Sequence, residues 1–81
     1  MLRGEQRLML AVLEDGIATL LKYARATRGQ AGRIRRETFS WLIATRTDEV
    51  FGYERLCEAL GIDSARLRRR VLSEMRRRLP A

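Results

Sequence analysis

Gly52-Tyr53-Glu54-Arg55-Leu56-Cys57-Glu58-Ala59-Leu60-Gly61-Ile62-Asp63-Ser64-Ala65-Arg66-Leu67-Arg68-Arg69-Arg70-Val71 is the stretch on which the fold turns. Leu56, Ala59 and Leu60 fall at helical spacing and give its first segment one apolar stripe. Gly61 follows at once, where a helix end most often needs a residue that tolerates positive φ. Asp63 then offers a carboxylate to the free N–H groups of the next helix. Leu67, Val71, Met75 and Leu79 recur every fourth residue and supply that helix with its own buried stripe. Residues 53–60 and 64–79 are therefore expected to be helices joined by a short glycine-containing turn, a helix-turn-helix spanning 52–79.

Upstream, residues 5–27 read as one long helix. Leu10, Leu13, Ile17, Leu20, Leu21 and Ala24 share a face, while Leu8, Val12 and Tyr23 broaden the apolar surface. Gly16 in the middle costs roughly 1 kcal/mol against Ala, so either a neighbour packs closely there or the helix bends. Gly29 is the expected stop, and Arg28 to Gly32 the expected loop. A second helix over 33–45 carries Ile34, Thr38, Trp41 and Leu42 on one side, and Trp41, by its size, is placed at the centre of the core. Thr47-Asp48-Glu49 reads as a polar turn, after which Val50-Phe51 returns the chain to the core. Pro80 ends the order. The expectation is a small all-α protein, four helices about one core, with residues 1–81 forming a single domain.

Composition narrows the function classes. The chain has 81 residues, one cysteine and no histidine, which rules out an intramolecular disulfide and a Cys/His zinc site. Ser40 and Ser64 have no histidine to activate them. Glu14-Asp15 and Asp48-Glu49 are adjacent acids, which diverge by about 100° on a helix and form no acid/base pair. Gly29 and Gly32 lack the strand–loop–helix setting and the Lys-Ser/Thr of a phosphate loop. No catalytic residue, metal or cofactor is expected. The apolar run Leu8 to Leu13 stops at Glu14, far short of the ~20 residues of a membrane span, and no cleavage site follows it. A cytoplasmic protein without membrane contact is expected.

Charge is the strongest compositional signal: +7 overall, with a sequence pI near 11.2. It is unevenly spread. Residues 64–81 carry seven arginines against Glu74, a local +6, while residues 30–63 are net −1. Sixteen of the seventeen basic residues are arginine, the side chain that forks onto phosphate and guanine.

The run Leu60-Gly61-Ile62-Asp63-Ser64-Ala65-Arg66-Leu67-Arg68-Arg69-Arg70-Val71, with Cys57 four residues before the glycine, resembles the bacterial helix-turn-helix DNA-binding superfamily. The likeness covers about the last third of the chain, and departs from the pattern where Arg70 stands in place of an apolar residue. It implies that Ser64, Ala65, Arg68 and Arg69 face base edges. The chain's own apolar stripe instead sets Arg68 near the core edge and turns Arg66 and Arg70 outward, and Arg69 is exposed either way. Arg66 and Arg70, with Arg33, Arg35 and Arg36 of the preceding helix, would then contact the DNA backbone. The wider string Phe51-Gly52-Tyr53 … Cys57 … Leu60-Gly61 also looks like that of small uncharacterised bacterial proteins, a likeness that implies no biochemistry.

The expected function is sequence-specific binding of double-stranded DNA, as a small transcriptional regulator of bacterial or phage origin. A homodimer through the residue 5–27 helix would suit a two-fold DNA site. The competing expectation is an interaction module whose basic helix docks on an acidic protein partner of the transcription machinery or of a phage.

Overall fold

The computed structural model describes residues 3–45 and 49–80. They form four helices and, among the described residues, no strand: α1 (Gly4–Lys22), α2 (Gly29–Ile43), α3 (Tyr53–Leu60) and α4 (Ser64–Arg78). The body is elongated, 40 × 23 × 23 Å. α1 is its axis and packs against each of the other three helices. None of these helices is long and apolar enough to cross a membrane.

The elements lie close to where the apolar spacing put them, with boundary corrections that have local causes. α1 ends at Lys22 rather than residue 27, although nothing in the intervening sequence breaks a helix. Tertiary partners end it. Ala24 turns inward and is buried, Arg78 donates to the Leu21 carbonyl at 3.5 Å, and Arg35 Nε donates to the Ala26 carbonyl at 2.6 Å. Gly29 does not stop the first helix but starts the second: its φ of 69° turns the chain into α2, so residues 29–32 are a first helical turn and not a loop. At the other end α2 closes at Ile43, with Ala44 extended.

The turn between α3 and α4 forms as its residues suggest. Gly61 is left-handed at φ 70°, its N–H and that of Ile62 return to carbonyls of α3, and the Asp63 side chain accepts from Arg66 N–H at 3.1 Å.

The core is Leu13, Leu20, Ala24, Leu42, Tyr53, Leu56, Cys57, Val71 and Met75. Its largest fully buried side chain is Tyr53, and Trp41, expected at the centre, is only partly buried. Trp41 lies on the flank, edge-on to Tyr53 with ring centroids 5.4 Å apart, and its indole N–H donates to the Phe51 carbonyl at 2.9 Å. The reason is Gly16. The indole lies directly on the missing side chain, where a Cβ would come within 2.6 Å of Trp41 Cη2, so the ring covers α1 rather than penetrating between helices. Val50 and Phe51, expected in the core, are exposed, as is Leu79, which stands past the end of α4 as its C-cap. Of the expected turn, Thr47 and Asp48 lie outside the described residues.

Gly16→Ala sets helix propensity against this contact. Alanine adds up to about 1 kcal/mol of helix preference, while the clash with a rigid ring costs about 1–3 kcal/mol. The substituted protein is expected to melt below the wild type in thermal denaturation followed by circular dichroism. A rise in Tm would mean that the indole does not rest on Gly16.

Candidate nucleic-acid interface

The rotation of α4 decides which arginines are available, and one side chain sets it. Arg68 Nε donates to the carbonyl of Leu42, at the end of α2, at 2.8 Å. The other arm of the guanidinium is ion-paired and hydrogen-bonded with Glu54 of α3. Its plane centre lies 4.9 Å from the centroid of the Tyr53 ring. Arg68 thus joins three helices, with only 18% of its side chain accessible. Ser64, one turn earlier on the same face, completes the junction: its hydroxyl donates to Glu54 Oε1 at 2.7 Å, and its carbonyl accepts from the Tyr53 hydroxyl at 2.7 Å.

The electrostatics follow from these contacts. The Glu54 carboxyl is held below the usual carboxylate range, first by the hydrogen bond from Arg68 and then by that from Ser64. Burial raises the Tyr53 hydroxyl well above its ordinary value. Burial likewise raises the Cys57 thiol, which keeps it protonated and unreactive at neutral pH.

Two of the four residues expected to face bases, Ser64 and Arg68, are therefore turned into the fold, because a guanidinium fork at that position meets two acceptors and an aromatic face inside. Ala65 and Arg69 are exposed. So are Arg66 and Arg70, as the chain's own stripe requires. The side chains of Arg66, Arg69 and Arg70 make no hydrogen bond or ion pair among the described residues. With Arg77 they rim an open concavity of about 620 Å³, floored by Leu21 of α1 and Val71 of α4. Toward its end α4 is partly self-neutralised: Arg78 Nε bonds Glu74 at 3.0 Å and Arg77 lies 3.9 Å from the same carboxylate.

The chain matches no protein-family model, no curated protein and no solved structure.

The arginines expected to flank this face from α2 divide. Arg33 and Arg36 are exposed, but Arg35 is half-buried on the Ala26 carbonyl, beside Leu79 and Pro80. The first half of α2 thus neighbours the end of α4, while Arg68, near the start of α4, meets the end of α2. The two helices run in opposed directions, and the α2 arginines are not brought to the start of α4. Tyr53 and Glu54 are the functional neighbours that sequence reasoning missed. Tyr53 had a signal, since Tyr53, Leu56, Cys57 and Leu60 sit at i, i+3, i+4 and i+7.

Arg68→Met keeps the aliphatic stem but strands Glu54, and is expected to cost about 3 kcal/mol in urea unfolding. Arg69→Met is expected to stay within about 0.5 kcal/mol of wild type. Because the Glu54 pKa is lowered on folding, its stabilisation is complete above the unfolded value near 4.3 and is lost as pH falls through the lowered one. Glu54→Gln should accordingly reduce stability at neutral pH and flatten the acid limb of a stability–pH profile.

Proposed function

We propose that this chain is a sequence-specific double-stranded DNA-binding protein, a small transcriptional regulator that uses α3, the Gly61–Asp63 turn and α4 as a helix-turn-helix. The observation that carries the reading is the outer face of α4. Arg66, Arg69 and Arg70 stand exposed and unpartnered among the described residues, in the helix half that enters the major groove in this mode of docking. Arginines in the first turns run against the helix macrodipole, which favours acids there, so helix stability does not account for them. Arg69, flanked by Ala65, Arg66 and Ser73, reads base edges in this proposal, and Arg66, Arg70 and Arg77 hold phosphates.

A unit of this size covers little duplex, so specificity calls for two copies on a two-fold site. α1 commits most of its apolar positions to the other three helices and keeps Leu8 as its exposed large apolar side chain. Two copies would be held together more by shared DNA than by α1.

A second reading has its own support in the apolar floor of the arginine-rimmed concavity. Leu21 and Val71 suit an acidic protein segment with an apolar anchor better than they suit phosphate.

Fluorescence anisotropy on mixed-sequence duplex across a salt series separates the two. Five to seven neutralised phosphates give a slope of log affinity against log salt of about −4 to −6 per chain. Arg69→Ala should weaken a selected preferred site by about 1–3 kcal/mol and random duplex little. Arg77→Ala should weaken both alike and flatten the slope by about one unit or less. Absence of duplex binding at low salt would transfer the α4 face to an acidic protein partner.

A further inference from the structure

The flank of α1 that carries Val12, Asp15 and Gly16 opens a second groove, whose described charged lining is opposite in sign to the α4 face. Val12 and Gly16 of α1, Trp41 of α2 and Phe51 line an open groove of about 470 Å³. Its described charged residues are Asp15, Glu37 and Glu49, and none is basic. Glu37, Trp41 and Glu49 also line a second concavity of about 250 Å³, so the two hollows share the indole and both carboxylates. In a chain of net charge +7 with only ten acidic residues, three of the carboxylates gather around one apolar groove, so its described charged lining is wholly acidic. None of the three makes an ion pair or hydrogen bond among the described residues, unlike Glu54 and Glu74. The ring is also held in place, since the indole N–H is bonded to the Phe51 carbonyl and the ring rests on Gly16.

We propose that this groove docks a basic amphipathic peptide segment of a partner protein. An apolar side chain fills the groove beside Val12, Trp41 and Phe51, and a flanking lysine or arginine lies against the indole between Glu37 and Glu49. Charge complementarity selects this occupant. A cation over an indole face with carboxylates on both sides is favoured by the ring quadrupole and by the ion pairs together. A fixed ring spares the peptide the cost of ordering it.

The groove is compatible with simultaneous use of α4. Gly16 and Leu21 are about 140° apart around α1, so the groove and the arginine-rimmed concavity open on different flanks. This surface is independent of the function proposed for α4, and its failure would leave that reading intact.

The test is selection of yeast-displayed, randomised short peptides on the intact protein, counter-selected on the Glu37→Lys/Glu49→Lys variant. Enriched sequences should place an apolar residue next to lysine or arginine. A synthetic copy should shift the emission of Trp41, the only tryptophan in the chain. Its affinity should fall by on the order of tenfold or more in the double variant, where attraction becomes repulsion. Duplex binding by that variant should not weaken, which separates loss of the groove from loss of the α4 face. Enrichment of acidic or purely apolar peptides, binding that survives the double variant, or no enrichment at all would overturn the proposal.

Discussion

A single guanidinium ties the C-terminal half of this protein together. Arg68 reaches back from α4 to a carboxylate on α3, a carbonyl ending α2 and the ring at the start of α3. Each contact satisfies a group that would otherwise be buried at a loss. The last turn of α2 has a carbonyl without an intrahelical partner, Glu54 is mostly covered, and Arg68 itself would be costly to bury unpaired. Because helical geometry is periodic, anchoring one residue orients the others. With Arg68 inward, Val71 and Met75 enter the core and Arg66, Arg69 and Arg70 must point out. The exposed basic face is thus a geometric consequence of an inward arginine on the same helix.

That relation shows which parts of the molecule can be read from sequence. The four helices, the left-handed Gly61, the Asp63 cap and the burial of Cys57 all follow from local chemistry and spacing. The end of α1 does not, because it is imposed by Arg35 and Arg78 arriving from elsewhere. Size alone puts Trp41 at the centre, yet its true position depends on the contact with Gly16, far away along the chain. The arginine run had the same limit. Period alone moved Arg68 toward the core, but its partners Glu54 and Leu42 are 14 and 26 residues distant.

The charge distribution also gains meaning in three dimensions. α1 separates an arginine-rimmed flank from a flank whose described charged lining is acidic. Such segregation gives an 81-residue chain two surfaces with opposite preferences in partners, from one small core.

Cys57, on α3, lies wholly inside that core with none of its surface accessible. As the single thiol in the chain it can meet a reagent only when that packing opens. The rate at which it becomes labelled therefore measures the opening of the core around α3 in the native protein, an internal clock on the helix that Arg68 ties to the basic face.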